Sequence, residues 1–422
     1  MDCDPASESR DTTHESTSRT AIKATRRHWV KGLGAAGLAA TAGCSTSSGG
    51  GSGSDSGKFV LGLDAPLSGG NSLIGQNMQR TLQIAVDEIN ENGGIHGQQV
   101  AIEAVDDQSS PQTAVQKVNQ LINQSGADAI IGTVSSAVRN SVSPVCQNNN
   151  VPLLYPTQYE GTAAPDYCNP YLVKTSWVPT QQVKPSVPYL MENYGTSFYL
   201  LGSDYLWPQE MNKAISSRVK ENGGTVVAEK YVQLGTTDFS SVLTDIGNKN
   251  PDVLLMTLVG TSVPAIQKQL YNNGMRKNLT EVGFGHSVAS LAGLSPETAE
   301  GVVNIMGYHN NMQNEANQQF MQKFNNRYGD NEDALVDGIA GGTYWTAKMM
   351  EKSYSQGEDT SAQTLLDDFS GMTYDSIAGE LTVPYDQQVK IGCVAATVNS
   401  DVEYETDTKF EPAMPDDACS DI

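Results

Sequence analysis

Positive charge is scarce in this 422-residue chain: 26 Lys and Arg stand against 48 Asp and Glu, a formal charge of −22. A surface of that sign excludes nucleic acid as a partner, because phosphate binding needs clustered Lys and Arg. It resembles the acidic surfaces of proteins from high-salt habitats, where screening lowers self-repulsion. The apolar run from Gly32 to Gly43 covers about 12 residues, short of the roughly 20 that a membrane-spanning helix needs. There is no C-x-x-C, no His at ligand spacing from a Cys, no H-E-x-x-H, no phosphate loop and no Ca²⁺ loop, so neither metal nor cofactor is expected. Asp106-Asp107 lacks a further ligand and reads as a solvated turn. Gly285-His286-Ser287-Val288-Ala289 approaches a nucleophile elbow, but His309 follows too soon for the intervening acid strand, so a hydrolase is set aside and the chain is not expected to be an enzyme.

What is present begins with an address. Residues 1–24 are polar and without periodicity, and Arg26-Arg27 precedes the Gly32–Gly43 stretch. This resembles a twin-arginine export signal. Thr41-Ala42-Gly43-Cys44 resembles a lipoprotein processing box in which Cys44 becomes the lipidated first residue. Gly32-Leu33-Gly34-Ala35-Ala36-Gly37 matches a dinucleotide-binding pattern, but no strand precedes it and it falls within the signal, so it is rejected. Residues 1–43 are therefore read as signal and 44–57, nearly all Ser and Gly, as a flexible tether. The expected location is extracytoplasmic, with the body held by a lipid anchor on the outer face of the cell membrane. Beyond that segment four cysteines remain, Cys146, Cys168, Cys393 and Cys419. Four cysteines allow three pairings; proximity along the chain favours Cys146–Cys168 and Cys393–Cys419, against a reading of four free buried thiols.

The chain as a whole has 38% hydrophobic and 18% charged residues, enough for a packed core, and its length favours two domains. From Lys58 apolar runs alternate with helical stripes. Phe59–Leu63 reads as a strand, and Met78, Leu82, Ala85, Val86 and Ile89 form one helix stripe that Gly93-Gly94 ends. Strands at 100–105, 129–132 and 151–155 alternate with helices at 111–123 and 136–146. The rhythm restarts after a Pro- and Thr-rich loop, with strands at 198–202, 225–232 and 253–258. Later strands at 281–284 and 302–308 precede long helices at 314–327 and 335–354. Alternation of this kind implies βαβ units, and the fold class expected is α/β, two Rossmann-like doubly wound lobes.

Four blocks then combine in order: Asn90-Glu91-Asn92-Gly93-Gly94, Tyr155-Pro156-Thr157-Gln158-Tyr159-Glu160-Gly161, Gly202-Ser203-Asp204-Tyr205 and Gly235-Thr236-Thr237-Asp238-Phe239. With them the body resembles type I periplasmic substrate-binding proteins of ABC transporters, most of all the urea and short-chain amide branch of the branched-chain amino-acid binding superfamily. The resemblance implies a hinge between the lobes, crossed near 174–179, near 301–308 and past Gly357. Lobe one would hold 58–176 plus 303–357, and lobe two 177–302 plus 358–422. It implies capture of a small polar solute by lobe closure and delivery to ABC permease subunits, by a monomer. Ligand contacts would come from loops at strand C-termini: Ser135, Ser136, Tyr155, Thr157, Tyr205, Trp207, Thr257, Thr261 and His286. Each has a plainer role available. Ser135 can cap its helix, the aromatics can be core or hinge packing, His286 can be a structural hydrogen-bonder, and Asp204 and Glu160 are expected to fix loops. The first loop, 66–75, lacks the aromatic of many amino-acid binders, which favours an amide over an amino acid. An amino-acid binder of the same fold and an amide-sensing regulator are the alternatives.

Overall fold

A computed structural model describes residues 57–415, apart from Ala292 and Asp386, and Cys419. The signal, Cys44 and almost all of the tether lie outside the described residues. In chain order the first half of the fold runs β1 (Phe59–Ala65), α1 (Ser72–Glu91), β2 (Val100–Asp106), α2 (Pro111–Asn123), β3 (Ala129–Gly132), α3 (Ser136–Asn148), β4 (Leu153–Tyr155) and β5 (Leu172–Lys174). The second run is α4 (Pro179–Tyr194), β6 (Ser197–Ser203), α5 (Leu206–Glu221), β7 (Thr225–Val232), α6 (Ser240–Lys249), β8 (Val253–Thr257), α7 (Ser262–Asn272), β9 (Thr280–Phe284), α8 (Pro296–Ala299) and β10 (Val303–Met306). The chain finishes with α9 (Glu315–Tyr328), α10 (Gly338–Gln356), α11 (Ala362–Phe369), β11 (Thr373–Ser376), β12 (Gly379–Tyr385), β13 (Gln388–Lys390), β14 (Val394–Val398) and β15 (Tyr404–Lys409).

Two sheets result. One has the order β11-β12-β13-β5-β4-β3-β1-β2, the other β15-β14-β10-β9-β8-β6-β7. The βαβ segments pair in parallel, and antiparallel strands finish each far edge. This is the two-lobed α/β architecture that the alternation implies. The helix stripe read at 78–89 is buried on α1, where α10 lies against it and Thr81 Oγ1 donates to the Ala340 carbonyl at 2.7 Å. Helix starts follow cap chemistry: Ser110 accepts from Thr113 N ahead of Pro111, and Asn314, Asp337 and Ser361 cap α9, α10 and α11.

Lobe boundaries differ from the expected ones. β10 belongs to the second sheet, and α11 with β11–β13 belongs to the first lobe, so 358–390 does not join lobe two. The reason is pairing: β13 runs parallel to β5 (Gln388 opposite Lys174), which fixes the hairpin β11–β12 on the first sheet. The chain therefore crosses between lobes at 175–178, 307–314 and 391–393. The crossings are laced together. Gln388 Nε2 donates to Ser176 O (2.7 Å), Gln181 Nε2 to Val389 O (3.0 Å) and Trp345 Nε1 to Thr175 O (2.9 Å). Trp177 lies flat against Gly307 and Gly338; a Cβ at Gly307 would stand 2.4 Å from the indole, which is why glycine is needed there.

The disulfide pairing expected from proximity is corrected. Cys168 is bonded to Cys419, with Cα atoms 5.5 Å apart, across 251 residues of sequence. Cys146 and Cys393 are free and buried. Cys146 points from α3 into the first lobe, and Cys393, at the third crossing, into the core of the second; Cys419 packs in the core of the first. Cys393 and Cys419, neighbours in sequence, thus face different cores, whereas Cys146 and Cys168 share the first-lobe core without bonding.

Candidate functional site

Parallel sheets place ligands beyond their strand C-termini. A cavity of about 300 Å³ lies there, walled by both lobes and the hinge. Lobe one supplies Asn71 and Ile74 at the start of α1, Gln158 after β4, and Gly338 and Ile339 opening α10. Lobe two supplies the loops that follow β8 and β9, including Thr261, His286 and Ser287, and the hinge supplies Trp177, Met306 and Tyr308. The wall is mainly apolar, and among the described residues no Lys or Arg lines it.

The most deeply buried of its polar groups are Asp337, Trp177, His286 and Tyr308. Asp337 Oδ1 accepts from Ile339 N (3.0 Å) and Ala340 N (2.8 Å) and so caps α10. Burial raises the Asp337 pKa, while those N–H donors and the Ser287 hydroxyl of the other lobe lower it. Trp177 is 1% exposed and its Nε1–H has no partner among the described residues. His286 is held through its backbone, donating to Asn304 Oδ1 (3.2 Å) and accepting from Asn304 Nδ2 (2.7 Å). Burial pushes its imidazole down to about 4, against a weaker opposing pull from the Met256 carbonyl, so the ring is neutral at pH 7. Tyr308 is already engaged, donating to Asn317 Oδ1 at 2.7 Å. Among the described residues the cavity therefore offers one carboxylate and the indole N–H, with amide and hydroxyl groups of Asn71, Gln158, Thr261, Ser287 and Ser290 around an otherwise apolar wall.

Two of the nine residues expected at the ligand, Thr261 and His286, line this cavity. The other seven lie elsewhere. Ser135 caps α3, accepting from Val138 N at 3.3 Å, with Ser136 buried behind it. Thr157 Oγ1 donates to Thr133 O (2.7 Å), and Thr257 Oγ1 to Asn212 Oδ1 (2.9 Å). Tyr155 is packed under the Arg139 guanidinium and edge-on to Tyr159. Tyr205 and Trp207 stack on each other at the start of α5, and the Tyr205 hydroxyl is near enough to Tyr155 and Glu160 of lobe one for their charge to act on it.

Sequence reading missed Gln158, Trp177, Tyr308 and Asp337. For Asp337 a signal was there: an Asp ahead of Gly338-Ile339-Ala340 is a helix cap, and starting the helix at 335 conceals it. Trp177 and Tyr308 belong to crossings, whose inner faces no periodicity reveals. Glu160 fixes a loop as expected, through Arg139 Nη1 at 2.6 Å, with Asp166 on Arg139 Nε at 3.1 Å. Asp204 Oδ1 likewise accepts from Gln209 Nε2. The solvated turn expected at Asp106-Asp107 is corrected: Asp106 ends β2, half-buried and accepting from Leu67 N at 2.9 Å, and Asp107 is buried. Among the described residues no group of three acidic, His or Cys side chains is placed to hold a metal ion.

Two lobes, three crossings and a cavity between them define a hinged binding protein. The chain belongs to the periplasmic binding protein family, whose model matches residues 59–402. It is 28% identical over 229 residues to the Leu/Ile/Val-binding protein BraC3 of Rhizobium johnstonii, a match covering 53% of this chain and 60% of that relative's length. Among solved structures it is similar to a solute-binding protein of R. palustris in complex with benzoate (TM-score 0.74, 19% identity, 86% of this chain and 100% of that one). It is also similar to a leucine-binding protein of Thermotoga maritima (TM-score 0.73, 17% identity, 84% and 99%). At such identities the structural likeness speaks for the fold alone. Among the described residues no helix is long and apolar enough to cross a membrane.

Proposed function

We propose that the protein is the solute-binding component of an ABC importer, held outside the cell membrane through Cys44, and that it captures short-chain amides by lobe closure. The observation that carries the reading is the cavity between the lobes, with a single carboxylate and no cation in its wall. An amide fits those groups: its N–H₂ donates to Asp337 and its carbonyl accepts from Trp177 Nε1–H, while the alkyl chain meets Ile74 and Met306. A ligand touching both walls favours the closed state by its differential affinity for that state. A free carboxylic acid finds no cationic partner and meets Asp337 instead.

Size ranks the amides. Urea has four heavy atoms, and a ceiling of about −1.5 kcal/mol per atom allows roughly −6 kcal/mol, a Kd of tens of micromolar. A cavity of about 300 Å³ has room for more than urea. Butyramide is therefore expected to bind more tightly than acetamide or urea. A second reading, an apolar amino acid, is favoured by the apolar wall and by the name of the Leu/Ile/Val-binding relative.

Calorimetric titration of the processed chain at molar salt separates them, using urea, acetamide, butyramide, leucine and benzoate. Heat from the amides, none from benzoate, and a roughly tenfold loss in Asp337→Asn (about 1.4 kcal/mol) support the amide reading. Asn still caps α10, so that loss is not one of folding. Heat from leucine alone transfers the site to the second reading, and heat from benzoate alone removes the role given to Asp337.

A further inference from the structure

The Cys168–Cys419 bond connects different parts of the hinged body. All three chain crossings, at 175–178, 307–314 and 391–393, lie between the two cysteines. On one side the bond is anchored in lobe one, where Cys419 is buried in the core that includes Tyr155 and Leu172. On the other side the chain leading to Cys419 leaves β15, the edge strand of lobe two's sheet. There Phe410 is fixed to lobe two: its N–H donates to Cys393 O (2.9 Å) and its ring meets Tyr189 edge-on at 5.4 Å. The chain between Phe410 and Cys419 is thus a fourth link between the lobes, and its closure is covalent.

Its lobe-one end is not a remote point. Cys168 lies in the loop between β4 and β5 that also carries Gln158, Glu160 and Asp166. Arg139 grips this loop through Glu160 and Asp166, and Lys174 Nζ donates to Tyr167 O (2.9 Å). Gln158 reaches from it across the cleft to Gly285 of lobe two, so close that a Cβ on Gly285 would lie 2.1 Å from Gln158 Nε2. The loop that the disulfide holds is the loop that meets the opposite wall.

We propose that the Cys168–Cys419 disulfide is a strap that limits how far the lobes open, acting through the Gln158 loop. Nine residues, 411–419, span at most about 30 Å, so the bond sets an upper limit on how far Phe410 of lobe two can move from Cys168 of lobe one. It raises the share of molecules close to the binding-competent form, and cutting it lowers apparent affinity by the fraction lost.

The test is made on the ligand-free protein, so it stands apart from the identity of the solute. Hydrogen exchange of the cavity loops at 258–264 and 285–290 and the radius of gyration from solution scattering are compared before and after dithiothreitol. The reductant converts the bond to two thiols by exchange and is itself oxidised to its cyclic disulfide. Reduction is expected to speed exchange in both loops at least about threefold and to enlarge the radius, with the far-ultraviolet circular dichroism unchanged. A second variant keeps the bond and adds ten Gly and Ser residues after Met414. It is expected to behave as the reduced protein does, because slack opens a strap as cutting does. If reduction and insertion leave loop exchange and radius as they were, or if reduction lowers only the melting temperature, the proposal is overturned.

Discussion

The two lobes share a strand order and differ in what they bury. Lobe one encloses charge: Arg139 between Glu160 and Asp166, Lys174 beneath Tyr167, and the carboxylates of Asp64 and Asp107. Lobe two encloses Glu281, paired to an Arg276 that stands partly in solvent. At the cavity lobe one offers Gln158 and the α10 cap Asp337, and lobe two offers the turns around Gly260 and Gly285, both at positive φ, with Thr261, His286 and Ser287 beside them. The two walls meet where Gln158 approaches Gly285.

The strongest way to break this contrast is to remove its central cation. Arg139→Met leaves Glu160 and Asp166 buried without a partner, and a loss of about 3–5 kcal/mol is expected. Lys does not rescue it, since one ammonium cannot reproduce the guanidinium fork or its stacking on Tyr159. Arg276→Met in lobe two is expected to cost clearly less. Burial already pushes the Glu281 carboxyl up to about 7, so it can take a proton when its partner goes. Guanidinium chloride unfolding of both variants measures this; equal losses would mean that the lobes do not differ in kind.

The next test acts on the meeting of the walls. Gly285→Ala places a methyl where Gln158 Nε2 now lies, and at φ +70° it also strains the turn. Solute affinity is expected to fall at least about tenfold, more than the loss of a fraction of stability explains. Adding Gln158→Ala clears the space and is expected to restore most of the affinity. Titration calorimetry reads both. A single variant with unchanged affinity would show that the walls do not need this approach.

How much of this was legible in the sequence follows from the range of each interaction. Strand and helix alternation, the α1 stripe and the cap at Ser135 are local, and reading them needed only neighbours three or four residues apart. The placing of β11–β13 was not local: their partner is β5, some two hundred residues earlier, and only that pairing gives the segment to lobe one. The disulfide failed for the same reason, since nearness in sequence put Cys393 with Cys419 while the fold turns Cys393 into the other core. At the cavity, residues directly after strands, such as Thr261 and His286, could be found by rule. Trp177 and Tyr308 needed the hinge path, and Tyr205 and Trp207 stack on each other at the start of α5, outside the cavity lining and against the core of lobe two.

The mildest test compares the lobes by proton binding. In lobe one, burial raises the Asp107 carboxyl to about 6, with Asp106 adding to the rise and Ser109 N–H opposing it. The folded protein then holds a proton that the unfolded chain releases near pH 4. Stability from this site is therefore present at low pH and falls as pH rises through about 6. Asp64 beside it is also raised by burial and pulls the same way, as Glu281 does in lobe two up to about pH 7. The lobe-two imidazole works in the opposite sense. His286 is lowered to about 4, so between there and its ordinary value the unfolded chain binds the extra proton, and stability rises with pH. His309, also near 4, adds to that rise. Between pH 4 and 6 the groups oppose each other and the profile is shallow. Asp107→Asn is expected to steepen the rise of melting temperature with pH over this window, and His286→Gln to flatten or reverse it. If both variants shift the profile in the same direction, Asp107 and His286 do not carry opposite proton linkages, and burial is not what sets them.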